Sequence, residues 1–420
     1  MRGKPLRPER RALAASAFAF LLACSVVHAD TGDIHGRVEL QDAGSFARND
    51  SIDAVLGAEN RNDLLANLRL TWEPSWDRWS VSIHYVLSAE DGDSVRLAHG
   101  ETDLLPAPPS TWFNLTNKFA DHAQIAGTQS IDRLAVTYTT PDFVIRVGRQ
   151  ALSWGSGMVF RPMDLFDPFS PSATDTEYKP GTDMLYTQWL FGDGSDLQFI
   201  VVPRSDRPGA QPSSDASSVA LHLNTSVFGH ETTWLLARDH GDWVGAAGIN
   251  GALGEATWNL ELVPTFLDTG PTRVSALANI SDAVTLLDRN ATVFAEYFHN
   301  GFGAGDGNFN LASLPPDLTD RLGRGQLFDT RRDYLAAGLT LEVNPLLNVS
   351  PTVIADLNDA SLYALLAGTY SLSDNLALVA GVQTPIGPAR TEFGGLPLSQ
   401  GSHEFLASPA QAYLQLRRYF

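Results

Sequence analysis

Cysteine is nearly missing from this chain. Cys24 is the only one in 420 residues, so no intrachain disulfide can form. Positive charge is also scarce: 29 Lys+Arg stand against 48 Asp+Glu, a formal net charge of -19. That balance argues against nucleic acid as a partner. After residue 29 no apolar run reaches the ~20 residues that a membrane-spanning helix needs. Long helical periodicity, internal repeats and low-complexity segments are absent too.

Catalytic signatures are equally thin. There is no GxSxG, and Gly155-Ser156-Gly157 is a weaker match; no GxxxxGK[ST] occurs. None of the ten histidines pairs with another His or a Cys at a metal-ligand spacing. GAGDGNFN (303–310) is rich in Gly, Asp and Asn but lacks the downstream Glu of an EF-hand. Nothing points to a cofactor or an enzyme. The acidic loops could still hold divalent cations.

What is present begins with the N-terminus. Arg2, Lys4, Arg7, Arg10 and Arg11 precede ALAASAFAFLLA (12–23), and Val27-His28-Ala29 offers small residues at a cleavage position. Residues 1–29 therefore read as a secretory signal peptide. Leu21-Leu22-Ala23-Cys24 is a competing lipidation signal, with cleavage after Ala29 preferred. Removing 1–29 takes away five basic residues and Glu9, leaving 24 Lys+Arg against 47 Asp+Glu, or -23.

The dominant pattern in 30–420 is period 2. In 79–87, Trp79, Val81, Ile83, Tyr85 and Leu87 alternate with Ser80, Ser82, His84 and Val86. Equivalent runs predict about eighteen strands (16–18). Short turns such as WEPSWDR, TTPD, GDGSD and NPLLN follow even-numbered strands, whereas the long connections, including 42–63, 89–130, 155–183 and 302–332, follow odd ones. A soluble sandwich has no reason to sort loop lengths by parity. A closed antiparallel transmembrane β-barrel does, with short periplasmic turns and long extracellular loops. Trp72, Trp76 and Trp79 around one short turn suit an interfacial girdle, and AQAYLQLRRYF suits a terminal barrel strand, apart from Arg418 on its apolar face.

If the apolar face meets lipid, the other face lines a lumen. Arg37, Arg69, Arg133, Arg146, Arg149 and Arg417 then form a basic wall, and Glu261, Glu296, Glu342 and Asp356 an acidic wall opposite. Opposed walls would set a field across a pore, or the groups would simply pair in a filled lumen. Strict alternation sends Arg149 to the lipid face, so a β-bulge at Gly148 is expected to turn it inward, with a place at the rim as the alternative. Loop 155–183 carries Met158, Phe160, Leu165, Phe166 and Phe169, which would be unstable in open water. Folded inward, it would leave Arg161, Asp164, Asp167, Asp175, Glu177 and Lys179 to line a constriction; folded over the mouth, it would be a lid.

IDRLAVTYTTPDFVIRVGRQALSWGSG, then F-x-P-x-D-x-F-x-PF and EYKPGTDML, resembles a group of largely uncharacterised, porin-like outer-membrane barrels of Gram-negative bacteria. The resemblance spans about 131–186 plus the last strand. It implies location and architecture, and carries over no substrate or catalytic residue. Together these readings lead to a single-domain outer-membrane channel for small solutes, bounded by lipid and passive or substrate-preferring. The alternatives are a non-conducting export or assembly barrel partnered with a periplasmic or inner-membrane transporter, and an outer-membrane lipid hydrolase. The oligomeric state stays open.

Overall fold

The computed structural model describes residues 33–98, 110–207, 209–305 and 309–420. Residues 1–29, with the readings at Cys24 and Ala29, lie outside them. The described chain builds one closed antiparallel wall of eighteen strands. The first half comprises β1 (Ile34–Phe46), β2 (Asn60–Trp72), β3 (Trp79–Gly92), β4 (Ile125–Thr139), β5 (Phe143–Gln150), β6 (Thr182–Leu190), β7 (Asp196–Val202), β8 (Ser218–Val227) and β9 (His230–Asp239). The second comprises β10 (Asp242–Leu253), β11 (Ala256–Phe266), β12 (Arg273–Leu286), β13 (Arg289–His299), β14 (Asp333–Asn344), β15 (Leu347–Asp356), β16 (Leu362–Ser373), β17 (Leu376–Ile386) and β18 (Ala410–Tyr419). Each strand pairs with its neighbour in sequence, and β18 closes on β1 from Arg37↔Tyr419 to Phe46↔Ala410. Closure leaves no strand edge exposed, which a sheet in lipid requires.

The period-2 pattern maps onto two faces. Outward pairs such as Val136↔Val147 are apolar and open, at 46% and 54% exposure. Aromatic residues mark both ends: Trp76↔Trp79 at the short-turn end and Trp243↔Phe266 at the long-loop end. Among the described residues no helix is long and apolar enough to cross a membrane. Six short strands lie outside the expected set: Ser75–Trp76 within a turn and Thr116–His122 paired onto the upper part of β4 extend the wall, and Ser110–Thr111 with Arg204–Ser205 and Leu396–Pro397 with Phe405–Leu406 form two separate pairs. The long-loop end is capped by 300–305 and 309–332, with a helix over Pro316–Gly323, and by 387–409. Phe302, Leu314, Leu318 and Leu396 share the apolar core of this cap.

Arg149 does not turn inward. The ladder runs without a register shift through Gly148↔Met184 and Arg149↔Asp183 on one side and Leu134↔Arg149 on the other, so the expected bulge is absent. Gly148 has φ +123, and a Cβ there would stand 2.1 Å from the Leu134 carbonyl oxygen. Glycine at this position serves a close backbone approach. Arg149 keeps the outward face, next to the last residue of β5 at the long-loop end. Its Nε donates to Asp183 Oδ1 at 2.9 Å, and the Phe113 backbone N–H donates to Asp183 Oδ2 at 2.9 Å. Residues 110–111 pair with 204–205, which places this strap across the outer wall. Arg149 is thus shielded from lipid by a carboxylate and a loop, and the basic wall loses one member.

Candidate constriction in the lumen

The chain between β5 and β6, residues 151–181, enters the barrel and touches walls on opposite sides. Its first anchor is Trp154, whose Nε1 donates to Gln198 at 3.0 Å and whose ring lies flat on His222 at 4.6 Å. Two glycines then let the backbone approach the acidic wall. A Cβ on Gly155 (φ +88) would stand 3.1 Å from Glu261 Oε1, and one on Gly157 would strike the Phe160 carbonyl at 1.7 Å. With side chains absent, the Ser156 N–H donates to Glu261. Those of Met158, Val159 and Phe160 all donate to Glu296, at 2.6, 2.9 and 2.8 Å. Asn279 Nδ2 adds a fourth donor to Glu296 at 3.0 Å. Glu296 is 1% exposed, so its charge is held by amide dipoles rather than by a cation.

The apolar residues of the loop find the cover that their composition demands. Phe160 stacks on Phe298 at 4.7 Å and packs with Tyr334. Met163 and Phe166 are buried with Tyr186, Ile200 and Leu235. Burying a side chain of this size is worth about 1.5–3 kcal/mol, which holds the loop inside the barrel. Asp164 and Lys179 pair at 2.6 Å within the loop and are almost fully buried. Burial pushes the Asp164 carboxyl up to about 6, against the opposing charge of Lys179. These two staple the loop and do not line an opening, contrary to the expectation. Asp167 accepts from Thr182 Oγ1 and so also closes the loop on itself.

The returning limb meets the basic wall. Arg37 pairs with Asp175 at 2.6 Å and Glu177 at 2.7 Å. Arg417 pairs with Glu39 at 2.8 Å and reaches Asp175 at 3.5 Å. Arg37 and Arg69 both sit over the Tyr178 ring, at 4.9 and 4.3 Å. Arg69 and Arg133 share Asp132, at 2.7 and 2.9 Å, and Arg133 also donates to the Lys179 carbonyl. Arg146 faces inward on Thr137 (3.0 Å) and Tyr186. Burial works against the Asp175 carboxylate, but the hydrogen bond and charge of Arg37 outweigh it and hold the group below the usual range.

The acidic wall is not one surface. Glu261 and Glu296 grip the loop. Glu342 meets Asn290 at 3.2 Å near the short turn 345–346, and Asp356 lies at the opposite end of its strand, accepting from the Asn358 N–H at 2.7 Å. Four carboxylates at three heights cannot set one transverse field, and the loop saturates most of both sides. What the sequence left unmarked is the role of Asn279, Gln198 and Tyr178 as supports. Inward register could have singled out Asn279 and Gln198; Tyr178, on the loop itself, had no such signal. Beneath the loop two cavities remain, of about 310 Å³ beside Trp154 and Glu261 and about 620 Å³ beside Arg161, Glu177 and Arg417. Arg161 and Glu177 therefore stay at the lumen surface, and the Asp175 side chain keeps 27% of its surface exposed. Among the described residues no cluster of three or more His, Asp or Glu is arranged for a metal ion; 306–308, within the Gly/Asp-rich stretch, fall outside them.

A closed eighteen-stranded wall with an inward loop is the architecture of the porin-like outer-membrane barrels. No protein-family model and no curated protein matches the chain. Solved structures do. A BenF-like porin from Pseudomonas fluorescens Pf-5 superposes with a TM-score of 0.52 at 9% identity, over 93% of this chain and 99% of that one. OccK5 (OpdH) of Pseudomonas aeruginosa gives 0.52 at 9%, over 92% and 98%. OccAB4 of Acinetobacter baumannii gives 0.51 at 8%, over 93% and 99%. At these identities the likeness establishes a shared fold.

Proposed function

We propose that this protein is an outer-membrane channel for passive, substrate-preferring diffusion of small solutes. The observation that carries the reading is the loop 151–181, strung across a barrel whose outward face is apolar and whose lumen keeps polar cavities beneath the loop. A wall built only to anchor a partner would need no such internal strut. The loop narrows the path, and the partly exposed Asp175 and Glu177 meet a solute on the basic side. The export-partner and lipid-hydrolase readings gain no supporting contact among the described residues. Purified protein in planar bilayers is expected to give discrete conductance steps, enlarged when residues 157–178 are replaced by a short Gly/Ser linker. Absence of steps from both forms would refute the channel.

A further inference from the structure

The smaller cavity is built around two polar groups that nothing satisfies. It lies between the first limb of the loop and the inner face of β7 to β11, and extends toward the short-turn end along Asn224, Thr233 and Asn250. Most of the polar groups around it are already committed. Asp196 accepts from Gln198 at 2.8 Å and Asn224 at 2.9 Å; Gln198 accepts from Trp154, and Asn224 accepts from Thr233 at 3.0 Å. Two groups are left over. Glu261 is 5% exposed and uses Oε1 on the loop, while its Oε2 has no partner among the described residues. His222 is 4% exposed, and both its ring nitrogens are without a partner, although the ring is fixed face to face on Trp154. A buried carboxylate oxygen and a buried imidazole left unpaired are each costly, and such groups ordinarily mark a place where something else binds.

The chemistry of the vacancies selects the ligand. Glu261 supplies a carboxylate acceptor that an adjoining ammonium ion would hold ionised, and no lysine or arginine lines the cavity to oppose a cation. A neutral imidazole supplies one further acceptor and one N–H donor. A protonated primary amine matches the two acceptors, and a neighbouring hydroxyl matches the donor. The volume of about 310 Å³ suits a solute of a few heavy atoms. Resting on the channel reading above, we infer that this cavity is a binding subsite for small amino alcohols or similar ammonium-bearing solutes, held between Glu261 and His222.

The test uses the full chain folded in detergent at neutral pH, titrated calorimetrically with ethanolamine and with choline. Choline has the same charge and hydroxyl but no N–H donor. Ethanolamine is expected to bind the wild type at least tenfold more tightly than choline does. His222→Phe keeps a ring on Trp154 and removes both nitrogens; Glu261→Gln keeps an acceptor for the Ser156 N–H and removes the charge. Each is expected to weaken ethanolamine at least tenfold. No ethanolamine binding, equal binding of choline, or variants that bind like the wild type would overturn the inference. Potassium chloride conductance of the same preparations separates the two claims. An open channel that binds no ethanolamine refutes the subsite alone, whereas ethanolamine binding without conductance refutes the channel and leaves the subsite standing.

Discussion

The two ends of the loop are fastened by opposite means. At Glu296 a fully buried carboxylate takes three successive backbone N–H groups and one side-chain amide, with no cation beside it. At Arg37 and Arg417 the fastening is ionic, and the side chains of Asp175 and Glu177 keep 27% and 30% of their surface in solvent. Dipoles at short range are indifferent to salt and rigid in direction. Ion pairs at the edge of water are screened, protonated and exchanged. One end is therefore a fixed hinge and the other a releasable catch.

The sharpest way to break this contrast is Glu296→Ala. It strands four donors that had shared one charge, and hydrogen bonds to a charged group are worth about 1.5–3 kcal/mol each. The loop should leave the wall, so conductance should rise several-fold and chymotrypsin should cut after Phe166 or Phe169 in the folded barrel. A smaller opening is expected from Arg37→Ala combined with Arg417→Ala. In the wild type, raising KCl from about 0.1 to about 1 M shortens the screening length from about 10 to about 3 Å. Conductance should then rise faster than bulk conductivity, and the double variant should lose that excess. If the arginine variant opens the pore further than the glutamate one, the ranking of hinge over catch is wrong.

Acid should reach the catch below the range in which it protonates Asp164. The Asp175 carboxyl titrates below its ordinary range, so its contribution is present above the unfolded value and is lost as pH falls through the folded one. Wild-type conductance should accordingly increase below about pH 4, with the step abolished in Asp175→Asn. A flat profile would remove Asp175 from the catch. Least effect on the pore is expected at the outer wall. Arg149→Met should leave conductance unchanged yet lower the temperature at which the barrel unfolds on a gel, because Asp183 is left charged and covered. Arg149→Met with Asp183→Leu should recover much of that loss. A conductance change in Arg149→Met would mean that the residue reaches the lumen after all.

How much of this was legible in the sequence follows from the range of each interaction. Period 2 is set by a strand and its immediate surroundings, and the eighteen strands and the parity of their connections could be read from it. β5 ends at Gln150, where the loop's own aromatic anchors take over. The inward course of 155–183 was readable as one of two options because its apolar content needs cover. Which carboxylates hold it was not. Glu296 binds residues 136 to 138 positions away, and no local pattern distinguishes it from Glu342, which faces the same lumen nearer the short turns. Arg149 misled for a related reason: its shield comes from Phe113 and Asp183, on two other segments, so local alternation gave the correct face and the cost of lipid argued against it.

The loop also has a mechanical consequence. In a barrel each strand is tied only to its two neighbours, so the wall behaves as a hoop that keeps its perimeter but can flatten into an ellipse. Residues 151–181 bond to Glu261 and Glu296 on one side, to Arg37 on another, and through Ser172 to Gln383 at 3.1 Å. They form a chord across the hoop. The cross-section is thereby set by the length of this chord as well as by the number of strands. Releasing the catch while the hinge holds would change the roundness of the whole pore together with its narrowest point.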